Sequence, residues 1–285
     1  DGGVTRADIL ITASELARHL AVGRPVNVLD VRWELTHPDG REAFSAGHVP
    51  GAVYVSLEDE LTDHAVTGRG RHPLPFGQAL EQSARRWGMR AGIPTVVYDD
   101  WNRAGSARAW WVLTAAGVQD VRILDGGFSA WVASGGDLET GVATVSPGDV
   151  TVAHRDLYQG ALPTLTADQT AEFGGPVLDA RAPERFRGER EPVDPVAGHI
   201  PGARNAPSTS VLSVDGTFRS DDELRQFVAE RGVDGVDGVG AYCGSGVTAA
   251  VLIAALHIVG TESRLFPGSW SQWCAEADRP VATGD

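Results

Sequence analysis

Cysteine is scarce in this chain of 285 residues, which contains only two. A disulfide framework needs several cysteines, and such frameworks belong to small domains in oxidising compartments. The sequence therefore predicts a globular protein without disulfides, located in the reducing cytoplasm.

Long hydrophobic runs are also missing. The most apolar stretch, residues 246–259, is too short to span a bilayer, which takes about 20 residues. The first residues show no basic start followed by an apolar core and a small-residue cleavage site, so we expect no secretory signal. Both absences argue against a membrane protein.

Basic charge and metal-ligand spacing are lacking as well. The formal net charge is −14, whereas a nucleic-acid partner requires a basic face. The eight histidines and two cysteines show no paired ligand spacing, and neither a Walker loop nor a convincing dinucleotide fingerprint is found. We expect no nucleic-acid partner, no metal and no cofactor.

The chain does contain a cysteine on a glycine loop, in the stretch AYCGSGVTAAVLIAAL at residues 241–256. Cys243 follows a short apolar run, Val239–Tyr242, that predicts a buried strand, and it precedes a longer run, 247–259, that predicts an apolar helix. The first N–H groups of a helix lack intrahelical partners, so this turn favours anions and a thiolate. Because glycines let successive amides turn inward, we interpret Cys243 as reactive rather than as a packing residue.

Four motifs occur twice in the chain, at an offset of about 150 residues, which indicates two domains rather than a solenoid. A turn-rich stretch at 141–163 separates the two copies. The repeated motifs are NVLDVRWE (27–34) with PVLDARAPE (176–184), FSAGHVPGAVYV (44–55) with VAGHIPGARNA (196–206), TVVYDD (95–100) with VGAYCG (239–244), and LDGGFSAW (124–131) with FPGSWSQW (266–273).

Within each copy, short apolar strands alternate with helical segments, among them 78–87, 106–116 and 220–231. This alternation predicts an α/β fold in which each domain is a parallel sheet flanked by helices on both faces. We place the first domain at 1–145, a linker at 146–162 and the second domain, with Cys243, at 163–285. In such sheets the functional loops lie beyond the carboxyl ends of the strands, where Cys243 is placed.

The duplication separates features of the fold from features of the chemistry. Features that occur in both copies are assigned to the fold. The Cys-Gly-Ser-Gly loop occurs only once, and its counterpart in the first copy is Asp99. Only the second domain is therefore expected to form a covalent intermediate. The shared features are an Asp-x-Arg after a strand (Asp30 and Arg32, Asp179 and Arg181) and a Gly-His-x-Pro-Gly turn (His48, His199).

The order, spacing and duplication of GHVPGA, LDGG with a following Trp, GHIPGA, CGSGVT and GSWSQW resemble the tandem-domain rhodanese family of sulfurtransferases. The resemblance covers about residues 9–281. Within the family, the loop is similar to that of 3-mercaptopyruvate sulfurtransferases, because it lacks the basic residues that thiosulfate sulfurtransferases typically have beside the cysteine.

The resemblance implies a mechanism. The Cys243 thiolate would take a sulfur atom from a small anionic donor, 3-mercaptopyruvate or thiosulfate, and pass it from a persulfide to cyanide, a thiol or a thioredoxin-like acceptor. Ser245 would assist proton transfer. The backbone amides of the loop would stabilise the negative sulfur, through Gly244, Gly246, Val247 and Thr248.

Residues outside the loop are assigned by the same resemblance. Asp59 and His72 of the first domain match a family segment that faces the active site. Arg185, in PERFRG, matches the family arginine that binds the donor anion through a guanidinium fork. The family's second arginine, after Pro-Glu-Pro, is missing from GEREPVDP, and Arg190 is the candidate to replace it. The donor stays open on these grounds.

Two alternative functions accompany this interpretation, and the second cysteine is considered with them. Cysteine phosphatases of related fold use Cys-x5-Arg, but Ala249 occupies the arginine position. A non-catalytic persulfide carrier or regulatory partner-binding module would retain the same loop. Cys274, which follows two tryptophans that we interpret as packing residues, is expected to take no part.

Overall fold

A computed structural model describes residues 3–285, and the elements of the first half of the chain come first. Its strands are β1 (Leu10–Ile11), β2 (Asn27–Asp30), β3 (Val53–Tyr54), β4 (Thr95–Tyr98) and β5 (Val121–Leu124). Its helices are α1 (Arg6–Ile9), α2 (Ala13–Ala21), α3 (Arg41–Ala46), α4 (Leu57–Glu60), α5 (Gly77–Arg86), α6 (Ala104–Ala115) and α7 (Gly127–Ala133).

The second half repeats this arrangement with a sheet of four strands instead of five. Its strands are β6 (Val177–Asp179), β7 (Arg204–Asn205), β8 (Val239–Tyr242) and β9 (Ser263–Leu265). Its helices are α8 (Ala167–Ala171), α9 (Pro183–Phe186), α10 (Asp221–Glu230), α11 (Ala249–Ile258) and α12 (Ser269–Trp273), with single 3-10 turns at Leu157–Gln159 and Ser208–Val211.

The strands form two sheets, ordered β1-β5-β4-β2-β3 and β7-β6-β8-β9. All pairings between these strands are parallel. The predicted α/β class with two parallel sheets is thus confirmed. In the two sheets β4 and β8 hold corresponding positions, so Asp99 and Cys243 follow equivalent strands.

The core explains why the two halves stay together. Alternate residues of β2 point to opposite faces of the sheet: Val28 packs in an outer cluster with Trp131, while Leu29 joins a core that both halves share. Helices α6 and α11 contact each other in this shared core, and nearly every residue of both is buried. A helix that is apolar on all sides is stable only in such a place. This packing places the loops that precede α6 and α11 at the interface between the two halves.

The observed helices agree with the sequence in kind and nearly in bounds. Strand β8 is confirmed at the predicted residues, and α10 begins after Ser220, whose hydroxyl accepts the N–H of Glu223 at 3.2 Å. Helix α11 begins at Ala249, two residues later than predicted, because Gly246 adopts a φ of +87° and prolongs the loop. Within residues 3–285, no helix has the length and apolar character of a transmembrane span.

The Asp-x-Arg motifs and the histidine turns form the same network twice. Arg32 donates to both carboxylate oxygens of Asp30 and to the carbonyl of Gly47, and Arg181 does the same with Asp179 and Gly198. The two histidines of the turns are buried against phenylalanine rings, at centroid distances of 4.0 and 3.7 Å. Their assignment to the fold is confirmed.

Candidate active site

Cys243 stands at the carboxyl end of β8, with 1% of its surface exposed. The backbone N–H of Gly246 points at its sulfur, with N and Sγ 3.0 Å apart. The Cys243 N–H donates to the hydroxyl of Ser269 at 3.1 Å. The thiol therefore lies inside its own loop, with a backbone amide directed at it.

The sequence of the loop permits this turn. A Cβ on Gly246 would lie 2.5 Å from the carbonyl oxygen of Pro267, and its φ of +87° disfavours other residues. The start of α12 fastens the loop from behind, since Trp270 N–H donates to the Cys243 carbonyl at 3.0 Å and Ser271 N–H to that of Gly244 at 2.9 Å.

Ser245 belongs to a hydrogen-bonded relay that crosses between the halves. Its Oγ is 2.7 Å from Nδ1 of His72, and Nε2 of His72 is 2.9 Å from a carboxylate oxygen of Glu58. A carboxylate only accepts, so a neutral His72 donates from Nε2 and accepts the Ser245 hydroxyl proton at Nδ1. The chain thus holds a serine, a neutral imidazole and a carboxylate in line beside the cysteine.

Burial and charge set the protonation states in this relay. Burial lowers the pKa of His72 below its usual value, although the hydrogen bond and charge of Glu58 act in the opposite direction. Burial would raise the pKa of Glu58, but hydrogen bonds from His72, Trp33 and His64 and the charge of His72 bring it to about 2. At neutral pH the relay is therefore an ionised glutamate and a neutral histidine.

Asp59, the residue predicted from the sequence, is not part of this relay, and its assignment is wrong. Its side chain is 67% exposed and reaches Arg41 at 3.4 Å. Helix α4 turns about 100° per residue. With Leu57 and Leu61 buried on one side, Asp59 projects to the opposite side while Glu58 flanks the buried face. A helical-wheel projection of α4, counted from its N-cap residue Ser56, is the sequence signal that would have identified Glu58.

A cavity of about 240 Å³ opens in front of the cysteine. Larger cavities of about 580 Å³ occur elsewhere, but they are not lined by Cys243, so size does not identify the site. Both halves line the smaller cavity: Trp33, Leu35, Arg71, Trp101 and Asn102 from the first, and Arg185, Pro207, Thr209, Ser245, Val247 and Thr248 among those from the second.

Two arginines that line this cavity lie close to Gly244. A Cβ placed on Gly244 would be 3.0 Å from Nη2 of Arg71 and 3.3 Å from Nη2 of Arg185. Arg185 is held by Glu191 at 3.1 Å, and Arg71 by Asp194 at 3.0 Å. Arg185 is thus where the sequence placed it, whereas Arg71 was missed because it comes from the other half of the chain.

Arg190 does not reach the cavity, and the expectation that it replaces the second family arginine is wrong. It is exposed, and its backbone N–H donates to the Glu184 carbonyl at 3.3 Å. Its neighbour Glu191 turns inward to bind Arg185 and Arg181, so the Arg190 side chain points outward.

Behind the loop lies a buried arginine with an unusual set of partners. Arg108 of α6 is 0% exposed and donates to the carbonyls of Leu61 (2.8 Å), His72 (3.0 Å) and Gly246 (3.2 Å). Within the described part of the chain, no carboxylate hydrogen-bonds to it. Burial lowers its pKa to about 10, an effect that the nearby Tyr158, Cys243 and Glu58 partly offset. A buried cation without a carboxylate is costly and favours an anion nearby.

The remaining predicted residues fall into place around the loop. Val247 is buried and Thr248 is the N-cap of α11, and both line the cavity. Cys274 is a free, half-buried thiol at the end of α12, and burial raises its pKa. It does not line the cavity in front of Cys243.

The fold and the site define a class: an α/β protein in which a buried cysteine follows a parallel strand and sits in a loop of backbone amides. The model of the rhodanese-like domain matches the chain twice, at residues 12–134 and 164–276. Both matches fall inside the domains predicted at 1–145 and 163–285.

Relatives span nearly the whole chain. The protein named "Putative thiosulfate sulfurtransferase SseB" from Mycobacterium tuberculosis is 59% identical over 279 residues, 98% of each chain. The "Probable 3-mercaptopyruvate sulfurtransferase" from Pseudomonas aeruginosa is 43% identical and covers 97% of this chain and 98% of its own. The crystal structure of SseA from Escherichia coli, described as a 3-mercaptopyruvate sulfotransferase, matches with a TM-score of 0.80 and 30% identity, over 92% of this chain and 98% of that one. The chain belongs to the rhodanese family and is a tandem-domain sulfurtransferase.

Proposed function

We propose that this sulfurtransferase takes a sulfur atom from 3-mercaptopyruvate or thiosulfate onto Cys243 and passes it to a thiophilic acceptor. The observation that supports this most directly is the Gly246 N–H, 3.0 Å from the Cys243 sulfur at the base of a cavity with two guanidinium groups. A preorganised amide stabilises negative charge on sulfur without a metal.

Both donor reactions balance without any further reactant. The Cys243 thiolate forms an S–S bond with the outer sulfur of thiosulfate, and the old S–S bond breaks to release sulfite. With 3-mercaptopyruvate the C–S bond breaks instead, its electrons pass to the enolate of pyruvate, and the proton of the donor thiol ends on carbon. Cys243 becomes a persulfide in either case, and attack by cyanide or a thiolate on the outer sulfur restores the thiolate.

The relay favours 3-mercaptopyruvate as the donor. Sulfite leaves without needing a proton, whereas the enolate must receive one. Ser245, hydrogen-bonded to a neutral His72, is placed beside Cys243 to accept the proton of the donor thiol and return it to carbon. Glu58 keeps the imidazole oriented for this transfer.

The buried charge of Arg108 is consistent with sulfur transfer to Cys243. Arg108 places a buried positive charge at the Gly246 carbonyl, and it does not line the cavity in front of Cys243. A fixed cation in a site of low dielectric stabilises the thiolate before the reaction and the persulfide anion after it.

Two related readings are distinguished by chemistry. A phosphatase loop would need an arginine where Ala249 stands, and Ala249 is fully buried. A persulfide carrier would load from a protein rather than from a small donor. The acceptor (cyanide, a thiol or a thioredoxin-like protein) and the cytoplasmic location are parts of this proposal that rest on the sequence and the resemblance.

Steady-state assays with cyanide as acceptor test the proposal. We expect thiocyanate to form with either donor, with pyruvate as co-product from 3-mercaptopyruvate and sulfite from thiosulfate, and a higher kcat/KM for 3-mercaptopyruvate. Thiocyanate formation from neither donor would contradict the small-donor function and favour the carrier.

A further inference from the structure

We propose that Arg71 of the first domain is the second anion-binding group of the donor site, and that together with Arg185 it clamps the carboxylate of an α-keto thiol donor. This inference rests on the proposed function and specifies it, because it names the donor group that is recognised and assigns part of that recognition to the first, cysteine-free domain.

The backbone around Arg71 is fixed against the catalytic half. The Arg71 N–H donates to the hydroxyl of Ser271 in α12 at 3.1 Å, and the next residue is His72 of the relay. One short segment of the first domain therefore delivers both a cation and a proton acceptor. Its position is set by α12, which also holds the Cys243 and Gly244 carbonyls.

Buried carboxylates aim the two guanidinium groups. Asp194 and Glu191 have side chains only 4% and 5% exposed, whereas Arg71 and Arg185 are 29% and 15% exposed. The acids thus stand behind the arginines. Arg71 uses Nε and Nη2 for Asp194, and Arg185 uses Nε and Nη2 for its acids, so within residues 3–285 neither Nη1 donates a hydrogen bond. Both arginines line the cavity that contains Cys243.

Gly244 allows both guanidinium groups of the proposed clamp to approach the catalytic loop. Nη2 of Arg71 and Nη1 of Arg185 lie 3.0 and 3.4 Å from the place where its Cβ would be. The absence of a side chain lets both guanidinium groups approach the loop backbone one residue from the nucleophile, where they line the same cavity. Paired N–H donors match the two oxygens of a carboxylate.

The charge of the cluster favours a singly charged group. The two arginines and the two acids sum to zero, so the site attracts anions through directed donors rather than through excess positive charge. A carboxylate with one charge suits such a site, whereas thiosulfate brings two charges into a protein whose net charge is −14.

Arg71→Met and Arg69→Met form a matched pair of variants. Arg69 is two residues away, stacks on Tyr158 at 3.8 Å and lines a different cavity. We expect Arg71→Met to lower kcat/KM for 3-mercaptopyruvate about 10- to 100-fold, mainly through KM, because a hydrogen bond to a charged group is lost. Arg69→Met should stay within about twofold of wild type, and Arg71→Lys should recover part of the loss.

A binding measurement separates this inference from turnover. Pyruvate contains the carboxylate and keto group of the donor, and the concentration that protects Cys243 from iodoacetamide reports its affinity. That concentration should rise about 10-fold or more in Arg71→Met and stay unchanged in Arg69→Met. Equal protection and equal KM in the two variants would overturn the role of Arg71, even if the wild type transfers sulfur as proposed.

Asp194→Asn tests the charge argument independently and covers the case in which Arg71→Met does not fold. The amide oxygen still accepts from Arg71, but the cluster gains a net positive charge. We expect the ratio of kcat/KM for thiosulfate to kcat/KM for 3-mercaptopyruvate to rise about fivefold or more. An unchanged or lower ratio would contradict the proposed clamp.

Discussion

The loops after β4 and β8 begin at the same place in the two sheets but close on different groups. In the first domain the buried carboxylate of Asp99 accepts from Arg103 Nε at 3.0 Å and from the Ser106 hydroxyl at 2.8 Å. In the second domain the loop closes on the Cys243 sulfur through the amide of Gly246. Side chains of the same domain therefore satisfy Asp99 in the first loop, whereas Cys243 in the second loop lines a cavity.

The two loops also differ at the residue that precedes their hydrogen-bonding partner, Gly127 in the first domain and Ser269 in the second. Phe128 N–H donates to the Asp99 carbonyl at 2.9 Å, just as Trp270 N–H donates to that of Cys243 at 3.0 Å. The preceding residues therefore correspond, and both have positive φ, +67° at Gly127 and +55° at Ser269. Glycine tolerates this conformation, but serine is strained in it. The strain persists where the hydroxyl accepts the Cys243 N–H, which indicates a functional reason.

The comparison also shows what the first domain contributes. It has no cysteine in its loop, yet Glu58, His72 and Arg108 all contact the catalytic loop or its relay. The second domain therefore holds Cys243, and in the proposed function the first domain supplies the charged groups and the proton acceptor that contact its loop.

The largest effect is expected from removing two buried arginines of the first domain, Arg108, which contacts the Cys243 loop, and Arg103, which contacts Asp99. Arg108→Met leaves the carbonyls of Leu61, His72 and Gly246 without their donor, so persulfide loading should slow about 100-fold or more. Arg103→Met leaves the buried carboxylate of Asp99 without its ion-pair partner and should lower the free energy of unfolding by about 3 kcal/mol. Persulfide loading should change little in the folded variant. Stopped-flow loading and thermal unfolding measure both. Comparable loading defects in the two variants would remove the distinction between the loops.

The next effect concerns the relay. Glu58→Gln should lower kcat with 3-mercaptopyruvate about 10-fold, because a charge-assisted hydrogen bond to His72 is weakened. Wild-type activity should fall as the pH drops through the lowered pKa of His72, below the usual 6.5, because protonated His72 no longer accepts from Ser245. Glu58 raises that pKa, so the acid limb in Glu58→Gln should move to lower pH. A limb that moves upward or stays fixed would exclude His72 as its origin.

The same pKa values give the pH dependence of stability. The pKa of Glu58 is depressed in the folded protein, so its contribution is present above the usual 4.5 and is lost as the pH falls toward about 2. The pKa of His72 is also lowered, so the unfolded chain binds a proton first and stability declines as the pH falls below 6.5.

A smaller effect is expected from substituting Ser269, whose hydroxyl accepts the Cys243 N–H. Ser269→Gly relieves backbone strain of about 1 kcal/mol but removes the acceptor of the Cys243 N–H, so the variant should load about 10-fold more slowly without loss of melting temperature. The reverse change, Gly127→Ser, places a Cβ 2.5 Å from the Asp99 carbonyl oxygen and should destabilise the protein. Faster or unchanged loading in Ser269→Gly would show that the serine does not position Cys243.

The smallest effect is expected at the second cysteine. Cys274 lies at the end of α12, outside the cavity of Cys243, and it is half-buried with a raised pKa. Cys274→Ser should leave transfer within about twofold of wild type, since substitutions away from packed or catalytic features change little. A large loss in this variant would indicate that Cys274 acts as a resolving thiol.

The sequence predicts the parts of the site that are local in the chain. Strand β8, the glycine loop and the presence of helix α11 follow from residue pattern, although α11 begins two residues later than predicted, and the duplication singles out Cys243 by comparison with Asp99. The misassigned residues depend on geometry that a linear pattern does not contain. Asp59 and Glu58 are adjacent in the chain, but the turn of α4 separates their side chains by about 100°, so only Glu58 lies beside the buried face. Arg71 enters the site only because the domains pack together, so no spacing within the second domain could reveal it.

Intact-protein mass after incubation with 3-mercaptopyruvate tests the central claim most directly, with Cys243→Ser as the control. The account predicts that wild type gains one sulfur atom, that cyanide removes it, and that the Cys243→Ser variant gains none, even though Asp99 and its loop are intact. Equal sulfur gain in the variant, or none in wild type with either 3-mercaptopyruvate or thiosulfate, would contradict the assignment of Cys243 as the sulfur acceptor.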